Sequence, residues 1–420
     1  MSTAVRNHRW ALLLIALSAP LCLALSCPFF PQPMPTGSCC APNGTCTVTT
    51  QANCAAGSTW TQGATCNPNP CMQPLPVGSC CAPNGTCTVT TQANCPAGST
   101  WTSGGVCVPN PCPQPPPPVL FIANLAGNNV TSYTNPATVN GNIAPNTNLA
   151  GAQTQLNAPA DIIVDATGSL HACNFGAPQS ITVYANASMA NGNIAPSRNV
   201  SGAATQLSGP ASLAIQSASD LLFVANITTP QITVYAGAST NAFNGNLAPI
   251  RTITSAGILN QPLGINFGAN DELYVANRGG NNVLVFANAS NLNGNVMPSR
   301  TITSAAFGNN LFDVFIDSSD RMYVVNGAGG VNSNRINIFN NASTRNGAVM
   351  PDVTLVPQGA TDLTAIEVDA GGRGYIVNRA TNAIFVFDSV ATRNGTFPPD
   401  RTITGGNTQL IGPIRTFLRQ

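Results

Sequence analysis

Two sets of six cysteines carry the clearest chemistry in this chain. Cys39, Cys40, Cys46, Cys54, Cys66 and Cys71 follow the spacing CC-x5-C-x7-C-x11-C-x4-C, and Cys80, Cys81, Cys87, Cys95, Cys107 and Cys112 repeat it. Even, fixed spacing behind an export-type leader predicts three disulfides in each set, with the pairing left open. A stretch of about 35 residues cannot bury enough apolar surface to fold alone, so cross-links must hold it. Zinc is the rival use of such thiolates, but no histidine lies near them. Between Cys27 and Val119 there is no charged residue, which removes acid–base and carboxylate–metal chemistry from both sets. Each keeps one tryptophan, Trp60 or Trp101, in GSTWT, whose face can stack on a sugar or fill a small core.

Chemistry elsewhere is sparse. Charged residues are 7% of the 420, and there is no lysine, so neither a Schiff base nor an ammonium clamp is available. No basic stripe exists to grip phosphates, which argues against nucleic acid as a partner. His171 is the one histidine beyond the leader; the sequence shows it no acid or nucleophile partner, so it reads as structural. Cys173 stands where sister segments have Ala or Val and reads as a small buried hydrophobe. Asp165, Asp317 and Asp369 precede ATG, SSD and AGG, a setting in which Asp bonds its own backbone in a turn. No G-x-S-x-G, H-E-x-x-H, P-loop or dinucleotide fingerprint occurs, so motifs assign no catalytic residue and no resident metal.

The elements that would position a site are repeated. From Val119 a pattern returns about every 50 residues. A strand ends in Asn at Asn124, Asn174, Asn226, Asn277, Asn326 and Asn378, and the next ends in an aromatic at Tyr133, Tyr184, Tyr235, Phe286, Phe339 and Phe387. An Asn-Gly step follows at Asn140, Asn191, Asn244, Asn293, Asn346 and Asn394, and a short strand such as DIIVD or AIEVD closes the unit. The β-rich runs are punctuated by Asn, Gly and Pro, and no helical period occurs. Four strands in each of six units predict a six-bladed β-propeller. The first unit opens at VLFIAN without a leading strand, whereas the chain ends on PIRTFLRQ, which aligns with PADIIVD and PLGINFG. That fragment is the expected missing strand, joining the first blade from the far end and closing the ring. The expected fold class is all-β: a six-bladed β-propeller closed by the C-terminal strand, with two small disulfide-rich N-terminal modules.

Aligned at their ends, the innermost strands place Asp161, Ser212, Gly264, Asp313, Ala365 and Arg415 in one ring. Two residues on, facing the same way, come Ile163, Ala214, Asn266, Phe315, Glu367 and Phe417. Asp161, Asn266, Asp313, Glu367 and Arg415 are therefore the channel-lining candidates. A salt-bridged, watered channel is one reading of them. The wording LYVANRGGNNVLVFANAS resembles NHL-type and lactonase-like six-bladed propellers, over about 300 residues, and a propeller resemblance implies fold more than function. Calcium-dependent lactonases of related propellers hold their metal on inner-strand Glu, Asn and Asp. The resemblance thus implies Ca2+ as the cofactor of a second reading, although the motifs that would transfer roles are absent. The cysteine sets resemble short repeats of exported bacterial proteins, which implies no activity.

Arg6, His8 and Arg9 precede the apolar run ALLLIALSAPLCLAL and the small residues Ser26-Cys27, the pattern of a signal peptide over 1–26. ALSC also resembles a bacterial lipoprotein box, with Cys27 as the lipidated residue. Cysteine-rich repeats over 37–71 and 79–112, a Pro-rich linker over 113–118 and the propeller over 119–420 complete the expected organisation. The main expectation is an exported, non-enzymatic, monomeric binding or scaffold protein without a cofactor, outside the cell or at its surface. Its partner would be a protein or carbohydrate ligand, with membrane contact only through an N-terminal lipid. The alternative is a metal-dependent lactonase-like hydrolase or a lyase using the channel.

Overall fold

The computed structural model describes residues 33–71 and 75–420. The signal-peptide and Cys27 readings lie outside them. The chain divides into two compact units, Met1–Pro115 and Pro116–Gln420.

In the first unit each cysteine set folds as a three-stranded antiparallel sheet. Thr36–Cys40 lies between Cys46–Thr50 and Thr59–Gln62, and Val77–Cys81 lies between Cys87–Thr91 and Thr100–Ser103. The disulfides are Cys39–Cys54, Cys40–Cys71 and Cys46–Cys66, and the second set repeats them as Cys80–Cys95, Cys81–Cys112 and Cys87–Cys107. Among the described residues of this unit the buried apolar side chains are Cys39, Cys71, Cys80 and Cys112 alone. Sulfur takes the place of an aliphatic core. Trp60 and Trp101 do not fill one either: both are half-buried, each donating its indole N–H to a backbone carbonyl, of Thr49 and Thr90. Gly37 is required where it stands, because a Cβ there would overlap the Thr61 carbonyl oxygen.

The second unit is β throughout apart from short 3-10 turns. Among the described residues it holds six sheets of four antiparallel strands, three of which gain a short fifth strand in parallel. The leading strands of the second to sixth sheets are Pro159–Val164, Pro210–Gln216, Pro262–Phe267, Leu311–Ile316 and Leu363–Val368. The first sheet takes its leading strand, Pro413–Arg419, from the chain's end: Pro413 pairs with Asn124 and Arg419 with Val119. Each leading strand packs against the next, and both Leu363–Val368 and Pro159–Val164 pack against Pro413–Arg419. Proline opens four of these strands, where a missing N–H costs no ladder bond.

The repeated letters have identifiable work. The anchor asparagines are fully buried. Asn174, Asn226, Asn277 and Asn378 accept from backbone N–H groups of Asn157, Ser208, Asn260 and Thr361 in the preceding linker. Asn124 does the same for Ile411, across nearly the whole unit. Tyr133, Tyr184 and Tyr235 donate to the carbonyls of Thr408, Thr154 and Thr205, all in Gly-x-x-Thr-Gln linkers; the later units, with Phe instead, lack that linker on the same side. Each Asn-Gly step reaches back to the preceding sheet. Asn191, Asn244, Asn293, Asn346 and Asn394 accept from backbone N–H groups of Asn148, Asn199, Thr252, Thr301 and Thr354. Asn140 of the first unit accepts from Thr402 of the sixth sheet at 3.0 Å, and Gly141 pairs in parallel with Ile403. The first and last sheets are thus joined twice, by the C-terminal strand and by this outer clasp.

Candidate functional site

The leading strands share one register. Asp161, Ser212, Asp313, Ala365 and Arg415 sit opposite Cys173, Ala225, Val325, Val377 and Ala123, one residue in from each anchor Asn. A β-bulge after the opening residue of each leading strand turns these side chains the same way.

Arg415 is the centre of the cluster and is buried. It donates Nη1 to the Thr364 carbonyl at 2.9 Å and Nη2 to the Phe312 carbonyl at 2.7 Å, and its Nη1 forms an ion pair with Asp313 Oδ1 at 2.8 Å. One guanidinium therefore ties the first sheet to the sixth and the fifth. Asp313 Oδ2 accepts from Ile366 N–H at 3.3 Å. Asp161 Oδ2 accepts from Ser212 Oγ and Leu213 N–H, each at 2.8 Å, and Oδ1 from its neighbour Ile162. Ser212 in turn accepts from Ile265 N–H at 3.2 Å. Gly264 has no side chain because Asp313 occupies that space: a Cβ would overlap Asp313 Oδ1. In the second tier Asn266 Oδ1 accepts from Ile316 N–H at 3.0 Å. Asp161, Ser212, Asn266 and Asp313 share one pattern. A polar side chain on one leading strand bonds a backbone N–H on the next, satisfying donors that a strand with no partner on that side would otherwise leave buried.

Arg415 supplies donors instead, and Glu367 does neither. It is half-buried between the positions of Phe315 and Phe417 in the adjacent sheets and makes no hydrogen bond. Burial pushes its carboxyl well above the ordinary range, and Asp313 and Asp161 push the same way. Burial also raises Asp161, against the pull of Arg415, and raises Asp313 to about 6. The sequence-derived set thus divides. Asp161, Asp313 and Arg415 meet in one cluster, Asn266 bonds the neighbouring strand, and Glu367 stands apart. Among the described residues the carboxylates do not converge as a trio of ligand atoms; only disulfide-bonded cysteines do so.

His171, for which the sequence shows no partner, has one in the structure. His171 Nε2 lies 2.9 Å from Asp165 Oδ2, both side chains being buried. Burial pushes the imidazole below its usual pKa, and because the Asp165 carboxylate can only accept, Nε2–H is the donor. Burial alone would raise Asp165, but hydrogen bonds from His171, Thr167 and Ser169 outweigh it and hold the carboxyl well below the usual range. The signal was a spacing: Asp317 and Asp369 accept from Tyr323 and Tyr375, also six residues on, so His171 replaces a tyrosine in a repeated strut. The three aspartates bond their own turns as well. Cys173 is buried and unpaired among the described residues, its thiol raised by burial.

No family model and no curated protein matches the sequence. Solved structures do match. A candidate 6-phosphogluconolactonase from Bacteroides fragilis NCTC 9343 aligns with TM-score 0.51 and 12% identity over 72% of this chain and 98% of that one. The nidogen/laminin complex aligns with TM-score 0.49 and 12% identity over 72% and 98%. The WD40 β-propeller domain of Doa1 aligns with TM-score 0.41 and 10% identity over 62% and 72%. The fold of the second unit is that of a β-propeller, preceded by a disulfide-rich region. At such identities the likeness carries fold and nothing of activity.

Proposed function

We propose that the protein is an exported, non-enzymatic six-bladed propeller, closed by its C-terminal strand, that acts as a binding or scaffold module. The observation that carries this reading is how the axial polar groups are used. Asp161, Ser212, Asn266 and Asp313 each bond backbone of the next leading strand, and Arg415 spans three sheets, so they act as joints between blades. A ligand or metal would have to displace those bonds. Export is supported by six disulfides, which persist in oxidising compartments. Among the described residues no helix is long and apolar enough to cross a membrane. Whether Cys27 carries a lipid that holds the protein at a cell surface belongs to the same proposal.

The lactonase-like reading is favoured by one observation: Glu367 is half-buried and, among the described residues, its carboxyl makes no hydrogen bond. Under it, Ca2+ would recruit Glu367, and Asp161 and Asp313 would leave their present partners. Assay of the purified protein on a panel of lactones, with and without Ca2+, separates the two. The scaffold reading expects no turnover and no calcium bound to the propeller. Turnover that Ca2+ supports and Glu367→Gln abolishes would replace it with the hydrolase.

A further inference from the structure

A groove of about 560 Å³ opens between the first and sixth sheets, where the two ends of the second unit meet. That volume lies within the roughly 300–1,000 Å³ range of small-molecule sites. Asn129 and Asn148 line it from the first sheet, and Asn382, Thr404 and Gln409 from the sixth sheet and the linker beyond it. No lining residue is charged, so nothing there compensates an anion or a cation for lost water.

The lining has unspent hydrogen-bond donors. Asn148 Nδ2 donates to Gln409 Oε1, which leaves Gln409 Nε2 without an acceptor. Asn382 Oδ1 accepts from Gly412 N–H, and its Nδ2 likewise has no acceptor. Asn129 is buried and donates to Asn148 Oδ1 at 2.7 Å, which holds the Asn148 amide with its Nδ2 toward Gln409. A peptide strand cannot add here by edge pairing, because the sixth sheet's outer strand is already covered: Gly141 N–H donates to Thr402 O, and Thr404 N–H to Gly141 O. Glycines at 127, 405 and 406 flatten the walls, and Ala150, Leu410 and Ile411 add small apolar surface. Gly406 is the telling position. Sister linkers carry Ala152 and Ala203 there, and a Cβ on Gly406 would meet nothing within 4 Å.

We propose that this groove is a binding site for a neutral oligosaccharide. Sugar hydroxyl oxygens accept hydrogen bonds without carrying charge, which suits the free amide N–H groups of Gln409 and Asn382 in an uncharged lining, and the faces of a sugar ring suit flat walls. The site deepens the reading of the protein as a binding module and rests on it. Its position gives it a consequence: a ligand seated across the seam binds the closed ring only and so stabilises closure.

The test uses the whole protein and neutral hexasaccharides of β-1,4-glucose, β-1,4-N-acetylglucosamine, α-1,4-glucose and β-1,4-mannose, with oligogalacturonate as the charged control. At least one neutral sugar is expected to raise the propeller's melting temperature as its concentration increases, and the charged control to leave it unchanged. Gly406→Leu, which fills the groove from open space, is expected to abolish the shift while melting normally without sugar; Gly406→Ala should retain it. Beyond residue 10 the only tryptophans are Trp60 and Trp101, both in the cysteine modules, so tryptophan emission reports on those modules. It should stay constant during the titration. No shift with any neutral sugar overturns the site yet leaves the closed scaffold standing, since closure is read without ligand. A shift that survives Gly406→Leu, or that moves tryptophan emission, overturns the location.

Discussion

The two units solve one problem in opposite ways. Both are built of short antiparallel strands, and both must keep sheets of three or four strands from fraying. The cysteine modules bury almost no aliphatic surface and rely on three covalent links each. The propeller has no disulfide among its described residues and instead packs sheet on sheet, with Leu120, Phe223, Tyr274, Ile338 and Phe387 fully buried. The difference teaches where each region is vulnerable. A module fails bond by bond under reduction. The propeller should fail where its first and last sheets meet, because five sheets draw their four antiparallel strands from one stretch of chain and the first takes its leading strand from the chain's end.

Reduction should separate the two most sharply. Module loops closed by bonds 15 to 31 residues apart are each stabilised by about 3 kcal/mol. Thiol reduction is expected to unfold both modules, with loss of tryptophan signal, and to leave the propeller's melting transition in place. Simultaneous loss of both would show a shared core and end the comparison.

Arg415→Ala attacks the seam. It strands Asp313 and the Phe312 and Thr364 carbonyls, a loss of about 3–5 kcal/mol for breaking a buried pair. The loss should grow with pH. Buried carboxyls with raised folded pKa values stabilise the fold fully below their unfolded pKa, near 4, and that contribution fades as pH rises through the folded value, about 6 for Asp313. Without the guanidinium those values rise further, so denaturant melts of the variant should fall further below wild type at pH 7 than at pH 4. An equal loss at both would remove the electrostatic part of the account.

Glu367→Gln should act in the other direction. It removes a carboxyl that burial and its neighbours keep from ionising, and it is expected to stabilise by about 1–3 kcal/mol at pH 8 and not at pH 4. Destabilisation at pH 8 would mean that the carboxylate is used, which is what the hydrolase reading needs. Smallest is Asn191→Ala, one clasp between the first and second sheets, at about 1 kcal/mol in a chemical melt. No change would assign the clasps to register alone.

Much of this was legible in the sequence, for physical reasons. Repeated anchors, aromatics and Asn-Gly steps mark strand ends, where backbone groups need side-chain partners, so the sheets and the spare strand could be read from spacing. The same alignment put Asp161, Asp313 and Arg415 at one level. It could not tell a residue that bonds its neighbour from one that does not, because partners 50 to 100 residues apart are chosen by blade geometry. Hence Glu367 and Asp313 looked alike, and the reach of Arg415 to Phe312 was invisible. The partner of His171 is hidden for a narrower reason: the setting of Asp165 signals only a turn, whereas one carboxylate serves both. The seam groove had no signature beyond Gly406.

The central claim is that the chain's last strand completes its first sheet, and amide hydrogen exchange on the intact protein tests it without perturbation. If Pro413–Arg419 is paired as proposed, Val119–Asn124 is an interior strand. All its amides should then exchange as slowly as those of Leu221–Asn226 or Leu273–Asn277, the corresponding strands of other sheets. If alternate amides of Val119–Asn124 exchange rapidly, as in a strand with one open edge, the ring is not closed and the account fails at its foundation.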